Sequence, residues 1–268
     1  MIREPAVYFA RTIATAPGRQ ADYIDLLRHT MVPLWKELHS QGVLECIDTI
    51  KLGRALHADE GLPEWDLVQV GRVADGELGK DFFGHENDLK GKLAINAAGC
   101  DQELASIMRT ESLRTTPNSH LPLPNASVAA RRPEVRLSIE VIRVTPTEEA
   151  LSEYQRLMIL NAGPASRRLR DAGFTYNFVP LETDEVLFEA DGMPGWNQLH
   201  VMGMLPENME SHVATYDRAL REVNPESGGF EGYFGVLDSI RHRPRWSLGR
   251  WLDDLAVGGE YRAAPARP

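Results

Sequence analysis

The side chains of this sequence that can move a proton or orient a ligand are sorted by the strands they fall on. His200 is the sharpest candidate, because it lies in the alternating segment Gln198 to Met204 and an imidazole tuned by a partly apolar cavity can exchange a proton near neutral pH. Trp196, Gln198 and His200 share one parity, as do Trp65, Leu67 and Gln69 in an earlier segment. These are expected to point into the interior, while Val68, Val70, Leu199 and Val201 face the helices. Glu140 alternates with Leu137, Ile139 and Val141 and shares its side with Arg136 and Ser138. If buried it is a general base, and otherwise an ion-pair partner of Arg136 or Arg143. Tyr8, Tyr176 and Tyr233 fall on predicted strands, where a phenol orients a ligand or donates to an enolate-like oxygen, although each serves equally well as core. The expected proton-transfer set is therefore His200, Glu140 and Tyr176. Trp65, Gln69, Trp196, Tyr8 and Tyr233 are the expected ligand contacts, the two indoles offering flat walls or simply packing.

Other chemistries find little support. The sequence has no CxxC, HExxH, GxSxG or Walker A pattern, and no GxGxxG follows a predicted strand. No metal site and no cofactor are expected. His29 lies opposite the apolar stripe of its helix, and His39, His57, His85, His212 and His242 read as surface or loop residues. Cys46 and Cys100 are the only cysteines and are expected to be free thiols of a reducing compartment. The formal charge of -10 argues against nucleic acid, since Arg167, Arg168, Arg170 and the segment Arg241 to Arg250 are local clusters in an acidic background. No apolar run is long enough to span a membrane, and MIREPAVYFARTIA lacks an apolar core with a cleavage site, so a cytoplasmic location is expected.

The elements that must position these residues occur twice. Adding 131 to a residue number carries 21–70 onto 152–201 without a gap and pairs Tyr23 with Tyr154, Pro33 with Pro164, Gly42 with Gly173 and Trp65 with Trp196, among ten identities. In the first half the pattern predicts a strand at Ala6 to Ile13 and a helix at Ala21 to Ser40 that carries Tyr23, Leu27, Met31, Leu34 and Leu38 on one stripe. Strands follow at Leu44 to Leu52 and Asp66 to Val73, then a helix at Phe82 to Ala98 and a strand at Ala105 to Leu113. The second half predicts a strand at Val135 to Thr145, a helix at Leu151 to Ala172, strands at Phe174 to Leu181 (with Val186 to Glu189 as an extension) and Gln198 to Met204, a helix at Glu207 to Val223, and a last strand at Tyr233 to Arg241. Each half is thus βαββαβ. The expected organisation is a first ferredoxin-like repeat in residues 1–113, an extended proline-rich connector in 114–133, a second repeat in 134–253, and a loosely held tail in 254–268. An antiparallel sheet covered by helices on one side leaves an apolar face bare, and the other half has the same need. The two sheets are expected to close on one another as an α+β barrel within one chain.

The repeated βαββαβ halves, the helix before Gly42 or Gly173 and the tryptophan before each third strand resemble the dimeric α/β barrel superfamily, which holds EthD-like, NIPSNAP-like and antibiotic-biosynthesis monooxygenase-like domains. The resemblance covers Ala6 to Leu113 and Val135 to Arg245. It implies cofactor-free oxygenases, heme proteins, isomerases, cyclases or proteins without turnover. In tandem members of the chlorite dismutase type a C-terminal histidine ligates heme, but no local pattern transfers that role to a histidine of this sequence. The expectation is an enzyme acting on a small apolar or aromatic metabolite in a barrel cavity by proton transfer. The alternatives are a non-catalytic binding or stress-related barrel, and a barrel filled by its own side chains with an assembly role. The partner expected is a small molecule, and the chain is expected to be a monomer or homodimer.

Overall fold

The periodicities above become a closed sheet in the computed structural model of the chain, which describes residues 7–73, 103–115 and 135–258. The first half contributes β1 (Val7–Thr15), α1 (Gln20–Leu26), a π turn (Leu27–Met31), α2 (Val32–Ser40), β2 (Leu44–Ala58), β3 (Leu67–Val73) and β4 (Ala105–Thr115). The second contributes β5 (Arg136–Val144), α3 (Glu148–Leu157), a π turn (Met158–Ala162), α4 (Gly163–Asp171), β6 (Thr175–Glu189) and β7 (Gln198–Met204). It continues with α5 (His212–Val223), α6 (Gly229–Ile240), β8 (Arg241–Trp251) and β9 (Val257–Gly258). The predicted helix at Phe82 to Ala98, Cys100, His85 and nearly all of the connector lie outside the described residues.

The strands run in the order β3-β1-β4-β6-β7-β5-β8-β2, and pairing of β2 with β3 closes the circle, every neighbour antiparallel. Closure follows from two long strands. β2 pairs with β3 through Leu44–Lys51 and then with β8 of the other half through Ile50–Ala58. β6 does the same with β7 and then β4. Each sheet thereby covers the bare face of the other and leaves no edge on the barrel wall.

The register of 131 residues is a structural repeat. It carries the π turn, α2, β2 and β3 onto their counterparts residue for residue. Each predicted continuous helix is broken by that π turn, for one reason: Pro33 and Pro164 have no N–H for an α-helical bond. Val32 donates instead to the Leu27 carbonyl and Gly163 to that of Met158. Gly42 and Gly173 end the helices at φ 75° and 71°. No atom lies within 4 Å of a Cβ added at Gly173, so Gly173→Ala should cost only the backbone strain, about 1 kcal/mol in chemical denaturation.

Three apolar cores result. One fills the barrel between the sheets and includes Tyr8, Ile50, Val68, Ile139, Leu199 and Val201. The others lie between the sheets and the helices of each half, around Trp35 and Leu67 in the first and around Tyr154 and Leu237 in the second. This reverses the expected parity: Val68, Val70, Leu199 and Val201 face the barrel, whereas Leu67 and His200 face the helices.

Two further expectations are corrected. Tyr233 to Arg241 is not the last strand: Gly229–Ile240 is helical, with Phe230, Tyr233, Phe234 and Leu237 at helical spacing, and the strand is Arg241–Trp251. The start of the tail is not loose, since Leu255, Ala256 and Val257 are buried and Val257–Gly258 pair with Cys46 and Ile47 of β2.

The two junctions between halves are related but unequal. At β4–β6, Arg109 and Glu111 are each 1% exposed. Arg109 donates to Glu111 at 3.1 and 2.9 Å, pairs with Glu189 and lies 4.3 Å over the Trp196 ring. The Trp196 indole N–H and the Thr183 hydroxyl also donate to Glu111, each at 2.8 Å. At β2–β8, Arg245 lies 4.3 Å over Trp65 in the same way, but it donates to Ser247 at 3.0 Å where the first junction has its carboxylate.

Candidate functional site

Among the described residues the barrel interior offers little room for a ligand. Its side chains leave a void of about 30 Å³, lined by Tyr8, Cys46, Asp48, Ile50 and Trp251 among others, which is room for about one water. A cavity ten times larger, about 310 Å³, lies instead between the sheet and the helices of the second half.

The chain builds this cavity from every layer of that half. The π turn supplies Met158 and Ala162, so the backbone break imposed by Pro164 shapes one wall. The aromatic stripe of α6 supplies Phe230, Tyr233 and Phe234 as a second wall, with Phe178 of β6 opposing it. The outward parity of β5, β7 and β8 supplies Glu140, His200, Arg241 and Arg243. Antiparallel pairing sets Glu140 directly opposite His200 on one side and opposite Trp246 on the other.

His200 is 5% exposed, and its Nε2 shares a hydrogen bond of 2.9 Å with the hydroxyl of Tyr154 on α3. Burial, aided by the positive charges of Arg241 and Arg243, lowers the imidazole to a pKa of about 3, so it is neutral at physiological pH. Burial also raises the phenols of Tyr154 and Tyr233 and takes that of Tyr216 to about 12. The arginines are poorly matched by anions. The Arg241 side chain is only 4% exposed, its nearest carboxylate is Asp238 at 3.7 Å, and that carboxylate is itself 64% exposed. Arg243 stands 3.8 Å from Glu140 and 4.9 Å over the Trp246 ring. Trp246 in turn donates to the Ser138 hydroxyl at 2.7 Å.

Of the residues singled out from sequence, the cavity brings together His200, Glu140 and Tyr233. Tyr8 lines the small void in the barrel. Tyr176 is in the barrel core, edge-on to Trp251 at 5.6 Å, and does not line the cavity. Trp65 and Trp196 are also barrel core, 5.6 Å apart. Gln69, the repeat counterpart of His200, is buried with its Nε2 unpartnered among the described residues. Sequence reasoning missed Tyr154, Arg241 and Arg243. The signal for the arginines was their alternation within Arg241 to Arg250, which is a strand facing α6; the signal for Tyr154 was its pairing with Tyr23 on the buried helix stripe.

The donor set suits an organic molecule of on the order of ten to fifteen non-hydrogen atoms, far fewer than a tetrapyrrole has. Of the cavity's histidines, His200 has Nε2 engaged by Tyr154, and the His212 ring lies flat between Phe174 and Tyr216. Heme therefore does not fit this cavity as it is built. Among the described residues no three His, Cys, Asp or Glu side chains are grouped to hold a metal ion, and no helix is long and apolar enough to cross a membrane.

No family model matches the chain, and no curated protein matches it. Solved structures do. An anthrone oxidase-like protein superposes with a TM-score of 0.53 at 13% identity, covering 98% of this chain and 97% of that one. The encapsulated DyP-type peroxidase from Mycobacterium smegmatis gives 0.53 at 12%, covering 94% of each chain. A candidate monooxygenase from Lactobacillus acidophilus NCFM gives 0.50 at 8%, covering 97% and 99%. At these identities the likeness speaks to fold, and it spans both halves without singling out the EthD-like or NIPSNAP-like branches. The chain shares with these proteins an α+β fold of ferredoxin-like repeats closed into a barrel-like sheet, here with both halves carried on one polypeptide.

Proposed function

We propose that the chain is an enzyme that transfers a proton to or from a small apolar or aromatic molecule held in the helix–sheet cavity of its second half. The observation that carries this reading is the buried Tyr154–His200 pair at the wall of a mostly apolar cavity, with Glu140 on the adjacent strand. In that role His200 receives a proton from an activated C–H, whose electron pair settles on an adjacent carbonyl oxygen, or from an O–H, whose pair stays on its own oxygen, and the Tyr154 hydroxyl holds the imidazole in place. Glu140 and Tyr233 complete the polar contacts; Tyr176, Tyr8, Trp65, Trp196 and Gln69 support the fold around it. Isomerisation, cyclisation and cofactor-free, monooxygenase-like oxygenation all begin with such a step. The names of the structural neighbours, an oxidase-like protein, a peroxidase and a monooxygenase, are consistent with small-molecule chemistry on this fold.

One observation favours a second reading, binding without turnover: an imidazole lowered to about 3 is a weak base. Both readings need an occupant of the cavity. Native mass spectrometry of the purified full chain should show a retained small molecule, and Ala162→Phe, which fills the cavity from the π turn, should abolish its retention without lowering Tm. Undiminished retention in that variant would place the occupant elsewhere and remove the basis for both readings.

A further inference from the structure

The cavity has an apolar end and a cationic end, and the cationic end is incomplete. Arg241 reaches the Tyr154 hydroxyl, but its Nε and Nη2 and Nε of Arg243 are buried and have no hydrogen-bond partner among the described residues. A guanidinium stripped of water normally finds acceptors for its N–H groups, because leaving them unpaired in a low-dielectric site is costly. Here the nearest carboxylates, Asp238 and Glu140, stop at 3.7 and 3.8 Å, beyond hydrogen-bonding distance. Both guanidiniums lie near aromatic rings, Arg241 with Phe234 at 5.4 Å and Arg243 with Trp246 at 4.9 Å. Such packing orients a planar fork and leaves its edge for an acceptor. The apolar end is aromatic: Phe230 and Phe234 are 4.3 Å apart, and Phe178 meets the His200 ring edge-on at 5.3 Å.

Resting on the site assigned under Proposed function, we propose that its ligand is a small aromatic carboxylate, the carboxylate bound by Arg241 and Arg243 and the ring seated among Phe178, Phe230 and Phe234. A monoanion fits better than a phosphate dianion, since Glu140 already stands beside Arg243 and repels each further negative charge. The ligand's charge supplies what neither Asp238 nor Glu140 reaches.

The test is calorimetric titration of the full chain with 2-naphthoate and with its uncharged analogue 2-naphthamide. The acid should bind at least tenfold more tightly than the amide. Arg241→Gln should weaken the acid by about tenfold to a hundredfold while leaving the amide unchanged, as expected for loss of a charge-assisted bond. Arg241→Lys, which keeps the charge but not the fork, should fall between, and it serves as the reading if the glutamine variant does not fold. Equal affinity for acid and amide, or an acid affinity indifferent to Arg241, overturns the carboxylate assignment while leaving the cavity reading in place. Failure of both probes to bind, or binding of both that Ala162→Phe does not weaken, overturns the cavity reading itself.

Discussion

Replacing Glu111 with glutamine should lower the stability of the barrel by about 3 kcal/mol, measured as a fall in the denaturant midpoint at unchanged slope. The argument is electrostatic. Arg109 and Glu111 are almost wholly buried at the β4–β6 junction, and the glutamine keeps the volume while removing the one fully buried negative charge that pairs with the guanidinium among the described residues. Glu189 remains as a partner, but it is about one-third exposed, so its attraction is better screened. The Trp196 indole and the Thr183 hydroxyl both donate to the same carboxylate, and an amide offers them one carbonyl oxygen in place of two. Two comparisons separate this account from generic disruption. The double variant Arg109→Leu, Glu111→Leu should recover much of the loss, because it removes both charges instead of stranding one. Ser247→Ala at the other junction should cost about 1 kcal/mol or less, since Arg245 leans there on Trp65 and a neutral hydroxyl. A Glu111→Gln variant no weaker than Ser247→Ala would mean that the carboxylate does not hold that junction.

The inequality of the junctions bears on what was legible in the sequence. The repeat was, because packing residues at fixed register, such as Trp65 with Trp196 and Pro33 with Pro164, are rare types whose coincidence has one structural cause. The helices carrying Tyr23 and Tyr154 were legible from their stripes, although the proline inside each shifts the hydrogen bonding and makes a π turn. Strand faces were not legible. In a closed barrel with helices outside, β3 and β7 are buried on both sides, so alternation distinguishes two faces without saying which is inner. Placing His200 inside the barrel followed from treating the polar parity as the lumen. The segment at Tyr233 failed differently. Its aromatic and β-branched residues suit a strand by type, but Phe230, Tyr233, Phe234 and Leu237 recur with helical spacing, and spacing outweighs propensity where the two disagree. Recovering that helix moves the last strand to Arg241–Trp251 and brings Arg241 and Arg243 to the cavity, which is how residues first read only as a local basic cluster come to line the same cavity as His200.

His200→Gln should separate the residue's proton chemistry from its packing. Glutamine is a fair substitute because the first half already carries Gln69 at the corresponding buried strand position, and its amide can still meet the Tyr154 hydroxyl. For turnover of the recovered ligand, loss of a proton-transfer group predicts a fall in kcat of about a hundredfold to ten-thousandfold. A change confined to KM would mean that His200 only shapes the cavity. The same variant has a signature that needs no substrate. In the folded chain the imidazole is held neutral down to a pKa of about 3, whereas in the unfolded chain it takes up its proton near the ordinary value of 6.5. Between those values the unfolded state binds the extra proton. Stability conferred by neutral His200 is therefore complete above pH 6.5 and is lost as the pH falls towards 3, at a limiting slope of about 1.4 kcal/mol per pH unit. His212, lowered by burial as well, contributes in the same direction, so the measurement is the difference between the two proteins and not the slope of either. Wild type minus His200→Gln should vary across this window and be flat above it. A difference independent of pH from 4 to 7 would show that His200 titrates normally, and with it would go the case that Arg241, Arg243 and burial hold it neutral beside Tyr154.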